Sequence, residues 1–120
     1  MTKGRCIMGS KRAKFEKLAA KRKISGIAKF LKSKDVETRL DAIYGLGQCG
    51  GEDAINLLTN WSYSLDPKER ETAIRALGNC GTGYSVTHMS EQLQQETDPA
   101  VREALKESIA LIRSRIQEKD

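Results

Sequence analysis

Apolar side chains recur every three or four positions in two segments of the chain, with polar side chains between them. The first series is Val36, Leu40, Ile43 and Leu46, and the second is Ala73, Ala76 or Leu77, and Cys80. This spacing puts the apolar side chains on one face of an α-helix. Both segments are therefore predicted to be helices that bury one face.

The two segments are copies of one another. Residues 35–51 and 66–82 share eight of seventeen positions at a spacing of 31 residues, and a weaker third copy begins at Asp98. The third copy keeps the arginine four residues after the aspartate and the aliphatic residue eleven after it, at Arg102 and Ile109. A period of this length is typical of stacked helical hairpins.

The ends of each copy carry helix signals. Asp35, Asp66 and Asp98 stand where an N-cap carboxylate accepts from the free amides of the first turn, and proline follows the second and third of them. Gly50 and Gly81 are predicted to close the helices in a left-handed conformation. A second apolar segment follows each closing glycine, so each unit reads as helix, turn and helix.

The predicted fold is all-α, a right-handed α-solenoid of about three to four stacked helical hairpins. The repeats cover residues 35–65 and 66–97, and residues 98–120 form a C-terminal helix. The second helices, near residues 52–62 and 84–94, are expected to line the concave face. The outward residues predicted to bind a partner on that face are Asn56, Thr59, Asn60, Tyr63, Thr87, Glu91 and Gln94.

The unit resembles the HEAT repeat, in particular the variant found in phycobilisome-lyase-like proteins. The matching residues are Asp35, Arg39, Ala42, Leu46, Gly47 and Gly50, and then Asp66, Pro67, Arg70, Ala73, Ala76, Leu77, Gly78 and Gly81. The resemblance implies that the aspartate and arginine columns form a ladder between successive repeats. A lyase or modifying activity, implied by analogy with that family, would rest on fold alone.

Charge divides the chain into two parts. Residues 1–34 hold twelve Lys and Arg against Glu16, a local charge of +11, whereas the other 86 residues hold nine against fifteen acids, a charge of −6. Residues 1–9 are expected to be a flexible basic tail, and residues 10–34 a degenerate basic repeat that caps the stack. The predicted anion-binding residues are Lys11, Arg12, Lys14, Lys17, Lys21, Arg22, Lys29 and Lys32.

Candidate chemistry is sparse. The segment GRCIMGSK at residues 4–11 has GSK where a phosphate-binding loop needs GK followed by Ser or Thr. His88 is the single histidine, with Leu57 at its repeat position, and it is read as a partly buried helix residue. Cys49 and Cys80 share a repeat position and are expected to be reduced, packed thiols. No catalytic residue, metal site or cofactor is predicted.

The sequence favours a non-enzymatic binding or scaffold module whose partner is another protein. Nucleic acid or another polyanion at the basic repeat is the alternative, and head-to-tail self-association of the basic and acidic parts is a further option. No run approaches the roughly 20 apolar residues of a membrane span, and no apolar signal segment follows the basic start. A cytoplasmic location is expected.

Overall fold

A computed structural model describes residues 11–118 of the chain. Its seven helices follow the order predicted from the repeat, and no strand occurs within those residues. The helices are α1 (Arg12–Ala20), α2 (Ile24–Ala28, continued by a 3₁₀ turn at Lys29–Lys32), α3 (Val36–Cys49), α4 (Glu52–Trp61), α5 (Pro67–Cys80), α6 (Gly83–Gln95) and α7 (Pro99–Glu118). The predicted all-helical repeat fold is confirmed. The predicted tail at residues 1–9 lies outside the described part, as does residue 10, the first of the predicted basic repeat.

The helices form two layers. The first helices of the hairpins, α1, α3, α5 and α7, pack side by side in chain order, and α2, α4 and α6 pack on the other side against α3, α5 and α7. The repeated aliphatic column lies between the layers, where Leu46, Leu77 and Ile109 are buried. The alanine column, Ala42 and Ala73, is buried with it. The apolar period therefore marked the core correctly except at Val36, which is 44% exposed at the start of α3, and at Cys80, which is half-buried.

Small residues let the first helices approach closely. An ideal Cβ on Gly47 would lie 2.7 Å from the Cβ of Ala76, and one on Gly78 would lie 2.8 Å from the Oγ of Ser108. Real Cβ atoms do not approach other atoms so closely, so any larger residue would push the helices apart. The glycine at this repeat position, Gly47 or Gly78, thus sets how closely neighbouring first helices pack.

The helix caps agree with the prediction in part. Asp66 accepts from the amide of Lys68 at 2.9 Å, and Asp98 accepts from the amide of Ala100 at 2.9 Å. The carboxylate of Asp35 accepts instead from the Thr38 hydroxyl at 2.6 Å, within the first turn of its own helix. That hydrogen bond holds the pKa of Asp35 below its usual value.

The closing glycines differ. Gly50 has φ of 69°, as predicted for a left-handed C-terminal residue. Gly81 has φ of −72°, so the left-handed prediction is wrong there. Gly81 leaves no room for a side chain instead, because an ideal Cβ would lie 2.6 Å from the carbonyl oxygen of Leu77 and 2.9 Å from the Oγ of Ser85.

Candidate functional site

The arginine column ties the loops between hairpins together. Arg39 donates from Nε to Oε2 of Glu69 at 2.7 Å and from Nη1 to the carbonyl of Ser33 at 2.7 Å. The other oxygen of Glu69 accepts from the Ser64 hydroxyl at 2.8 Å. One ion pair therefore connects the loop before α3 to the loop before α5.

The next ion pair repeats this arrangement one hairpin later. Arg70 forms two hydrogen bonds with Glu96, at 3.0 and 2.9 Å, and donates to the carbonyls of Ser64 and Leu65. Burial alone would raise the pKa of Glu96, but hydrogen bonds from Arg70 and from the Asp98 amide outweigh it and hold the pKa below its usual value. We call the pairs Arg39–Glu69 and Arg70–Glu96 the Arg–Glu ladder.

A ladder of arginine with aspartate was expected. The prediction is wrong about the acid, because the arginines pair with glutamates. The carboxylate of Asp66 is engaged by the amide of Lys68, and the arginines on either side of it pair with glutamates. Arg102, at the same position in the last hairpin, donates to the carbonyls of Leu93 and Glu96. The arginine column is structural, as the resemblance implied, but it works through Glu69 and Glu96.

A cleft of about 630 Å³ crosses the outer faces of all four first helices. Its lining combines charged and polar side chains with Tyr44, Ala76 and Leu111. The lining comprises Arg12, Tyr44, Lys68, Glu71, Thr72, Arg75, Ala76, Asn79, Glu107, Ser108 and Leu111. Sequence reasoning missed this surface, although the glycine column that brings the first helices together was visible in the repeat.

The charged side chains of the cleft are held in place. The guanidinium of Arg12 lies 3.8 Å from the ring centroid of Tyr44, a cation–π contact. Arg75 pairs with Glu107 at 2.8 Å and with Glu71 at 3.5 Å. The hydrogen bond from Arg75 keeps the pKa of Glu107 below its usual value. The cleft therefore presents charges of both signs.

The family model for HEAT repeats matches residues 24–110. This range spans most of the chain and covers the repeats described above. The chain belongs to the HEAT repeat family. The matched model describes HEAT repeats in general, and the resemblance to the phycobilisome-lyase-like variant is not confirmed by it. No curated protein gives a significant match to the sequence. None of the helices in residues 11–118 is long and apolar enough to cross a membrane.

The residues predicted to bind a partner lie along the second helices of these HEAT repeats and in the loop after α4. Those on α4 and α6 are exposed, except that Thr59 is half-buried and donates its hydroxyl to the carbonyl of Ile55. Asn56 borders depressions between α2 and α4 and between α4 and α6, whereas Gln94 borders one between α6 and α7. The others are Asn60, Thr87 and Glu91 on the helices and Tyr63 in the loop after α4.

The basic HEAT-like hairpin distributes its cations over different surfaces. Lys14 and Lys17 lie on one face of α1, and Lys21, the residue that caps the C-terminal end of α1, continues their spacing of three and four residues. The amine of Lys14 lies 4.6 Å, and that of Lys29 5.5 Å, from the ring centroid of Phe30. Arg12 points to the cleft instead. Lys11 precedes α1, Arg22 lies in the turn after it, and Lys32 ends the 3₁₀ turn.

Asp41 is a buried carboxyl that the sequence reading did not single out. It lies in α3, and burial raises its pKa, although a hydrogen bond from the backbone amide of Lys11 and the charge of Arg12 oppose that shift. The repeat positions that match it hold Thr72 and Ala104. Asp41 therefore marks a contact between α3 and the start of α1 that the other hairpins do not share.

The reactive side chains occupy structural positions. His88 is half-buried and meets the ring of Tyr84 edge-on at 5.3 Å between centroids. Cys49 and Cys80 carry free thiols, and burial raises the pKa of Cys80 to about 11. Among the residues that the structure describes, no three His, Cys, Asp or Glu side chains are grouped closely enough to hold a metal ion.

Proposed function

We propose that the protein is a non-enzymatic HEAT-repeat binding module that holds another protein against its first-helix layer. The cleft across α1, α3, α5 and α7 is the observation that carries this proposal, because four helices contribute to one continuous surface. HEAT repeats generally mediate protein–protein interaction or scaffolding.

The cleft suits a protein partner for two physical reasons. It presents charges of both signs, with which complementary charges on a partner can pair. It also combines the exposed Leu111 and the ring of Tyr44 with a polar border. An apolar centre with a polar rim is the usual composition of a recognition surface.

Two neighbouring residues of α7 provide a matched test. Leu111 lines the cleft, and the adjacent Ala110 is exposed but lies outside the lining. We expect Leu111→Lys to reduce capture of the natural partner from source-cell extract at least about tenfold, and Ala110→Lys to leave it unchanged. Quantitative mass spectrometry of captured proteins would measure both. Equal capture by the two variants would remove the cleft from consideration.

The second-helix face remains a rival surface for the same function. Asn60→Lys and Glu91→Lys would change its exposed polar residues without touching the cleft. If these variants lose the partner while Leu111→Lys retains it, the binding-module function stands and the surface is the second-helix one.

A second candidate function is binding of nucleic acid at the basic hairpin. Within residues 11–117 no ion pair joins Lys14, Lys17 or Lys21 to a carboxylate, so their charges remain available to phosphates. Neutralising about six phosphates predicts a log–log salt slope of about −5 on duplex DNA. The triple variant Lys17→Glu, Lys21→Glu and Arg22→Glu should abolish retention while the helical spectrum persists. Absence of binding to single and double strands at about 50 mM salt would rule it out.

Two remaining candidates have less support. Head-to-tail self-association between the basic and acidic parts would show as a mass that rises with concentration at low salt. A lyase or modifying activity would follow from likeness to the phycobilisome-lyase-like variant, and it rests on fold analogy alone.

A further inference from the structure

The two ends of the helix stack expose charge of different kinds. At the α7 end, the exposed charged side chains among the described residues are two acids and two cations, Glu103, Lys106, Glu107 and Arg113. At the other end, residues 11–34 hold ten Lys and Arg, with Glu16 as their one acid. A terminal repeat needs a polar outer face, and mixed charge provides one on α7. Capping of the stack therefore does not explain why the basic hairpin (α1 and α2) carries almost only cations.

Lysines of α1 form a line on the outer side of this hairpin. Lys14 and Lys17 lie in α1, and Lys21 caps its C-terminal end four residues after Lys17. With 3.6 residues per turn, these three positions fall within about 60° of the helix circumference, about 5 Å apart along the axis from one to the next. Phe15 is buried on the opposite side, where it packs on Gly45 of α3. The three lysines therefore point away from the stack.

A lysine of α2 joins this line at the ring of Phe30. The amines of Lys14 and Lys29 lie 4.6 Å and 5.5 Å from the centroid of that ring, so two helices bring a lysine to the same place. The helices are packed together beside the line, because Leu18 lies 3.6 Å from an ideal Cβ on Gly26. We call Lys14, Lys17, Lys21 and Lys29 the lysine strip.

Carboxylates lie around the lysine strip but not on it. Glu16 is about 100° or more around α1 from each lysine of the helix, and it pairs with Arg12 at 3.8 Å. No ion pair of residues 11–117 includes a lysine of the strip. Further exposed acids beside the hairpin are at the starts of the next helices, Asp35 and Glu37 at α3 and Glu52 and Asp53 at α4. Arg22 and Lys23 border one depression with Asp53 and are therefore not part of the strip.

The lysine strip opposes folding of the hairpin unless an anion covers it. Like charges three or four residues apart on a helix repel one another, and the contact at Phe30 adds Lys29 to those of α1. A chain of phosphates along the strip would remove this repulsion. It would also release the counterions held by each phosphate that a lysine neutralises, which favours binding.

We propose that the lysine strip binds a single strand of nucleic acid through successive phosphates. Four amines in one line match one flexible chain of phosphates, whereas a duplex carries its charge on two strands, about one charge per 1.7 Å of axis. The neighbours of the strip on α1 are Ala13, Leu18 and Ala20, which cannot read base edges, so binding is independent of sequence. The inference rests on the second candidate function, nucleic-acid binding at the basic hairpin, and adds the strand form and the lysines that hold it.

Fluorescence anisotropy with the full-length chain tests this. The probes are a labelled oligothymidylate of about 20 nucleotides, long enough to span the strip, and a labelled duplex of equal length and mixed sequence. Both are titrated at about 50 mM salt and then at rising salt. We expect the single strand to bind at least about tenfold more tightly than the duplex. Neutralising four phosphates gives it a log–log salt slope of about −3.

Two double variants each remove half of the strip. Lys14→Gln with Lys29→Gln removes the two amines at Phe30, and Lys17→Gln with Lys21→Gln removes the other two. Each should weaken single-strand binding at least about tenfold and flatten the salt slope to about −1.5, because two phosphate contacts remain. Circular dichroism checks that the helices persist, and the second pair keeps the contacts of Phe30 intact.

The matched control is Lys23→Gln with Lys34→Gln. It removes the same charge from exposed positions of the same part of the chain, outside the strip. Its affinity for the single strand should change less than about threefold, with the slope still about −3. An equal loss in the control and in the strip variants would mean that net charge alone carries binding, and the inference would fail.

Two further results would overturn the inference. Equal or tighter binding of the duplex, with a slope nearer −5, would mean that more cations than the strip make contact; nucleic-acid binding at the hairpin would then stand without the strip. Binding of neither probe at about 50 mM salt would remove the second candidate function as well, whether or not inorganic polyphosphate or phosphatidylserine vesicles bind in their place.

Discussion

Gly78 shows how one residue sets the distance between two helices. It lies where α5 meets α7, and an ideal Cβ would be 2.8 Å from Oγ and 3.0 Å from Cβ of Ser108. We expect Gly78→Ala to lower the free energy of unfolding by about 1–3 kcal/mol, because overpacking outweighs the better helix propensity of alanine. Urea denaturation would measure the change.

Gly26→Ala is the matched control for that substitution. Gly26 also lies in a helix, but its ideal Cβ would be 3.6 Å from the nearest side-chain atom, an ordinary contact. This variant should be neutral or more stable by up to about 1 kcal/mol. If both glycine variants behave alike, the close approach of α5 to α7 is not limiting.

Folding changes the ionisation of the Cys80 thiol. Burial raises its pKa from 9.0 to about 11, so the folded state holds the thiol proton more tightly than the unfolded state. This contribution to stability is intact below about pH 9 and is lost as pH rises through about 11. Cys80→Ala should remove that alkaline loss in pH-dependent urea unfolding.

The same shift slows the reaction of the Cys80 thiol. At pH 8 we expect alkylation by iodoacetamide at least about tenfold slower in the folded chain than in the urea-unfolded chain, because only the thiolate reacts. Peptide mass spectrometry would follow the modification. Equal rates in the two states would contradict the burial of this side chain.

At the scale of the elements, two arginines of α5 form ion pairs that are expected to contribute unequally to the free energy of unfolding. The side chains of Arg70 and Glu96 are 18% and 6% exposed, whereas those of Arg75 and Glu107 are 45% and 55% exposed. Removing one partner of a buried pair leaves an uncompensated charge, while an exposed pair is screened by water. Arg70→Met should lower the free energy of unfolding by about 3 kcal/mol, and Arg75→Met by about 1 kcal/mol or less.

Chemical denaturation of both variants under identical conditions checks this difference. A double-mutant cycle of Arg70 with Glu96 separates their coupling from the loss of the arginine's bonds to the Ser64 and Leu65 carbonyls. Similar losses for Arg70→Met and Arg75→Met would mean that the Arg–Glu ladder does not hold the loops.

The helices themselves were predictable because their signals are local. Each signal lies within one or two helical turns of sequence. The signals are the Asp-Pro start, an apolar residue at every third or fourth position and the closing glycine. The glutamate partners of Arg39 and Arg70 could not be predicted in this way. Glu69 follows Asp66 by three residues, whereas Glu96 precedes Asp98 by two. Aligning the repeats therefore puts these two acids in different columns.

The candidate surfaces were less predictable than the helices. Exposure of Asn60 or Glu91 follows from the helical period, but whether such residues share a groove depends on how α4 and α6 pack. The cleft collects Arg12, Tyr44, Arg75 and Leu111 from four helices. No local pattern links positions so far apart in sequence, and only the packed layer brings them together.

At the scale of the whole molecule, the stack is only slightly longer than it is broad, with principal extents of 36, 32 and 29 Å. Each first helix packs on its neighbours along the stack. Stability in such arrays is approximately a sum of contributions from each repeat and from each interface with a neighbour. The basic hairpin therefore stands at one end of the stack, where one of its faces meets no further hairpin among the described residues.

The two pairs of the Arg–Glu ladder take their acid from different repeat positions, and the first kind of junction can be copied to extend the stack. A second copy of residues 66–97 inserted after Thr97, with Glu96→Ser in the first copy to match Ser64, would set Arg70 of the first copy against Glu69 of the second, and Gly78 against Ala76. The junction of the first two native repeats already uses both kinds of contact, in Arg39–Glu69 and Gly47–Ala76. We expect the longer chain to fold, with a larger urea m-value because more surface is buried. Separate unfolding of the insert would contradict this. A single unfolding transition would mean that the length of the binding surface can be set by the number of repeats.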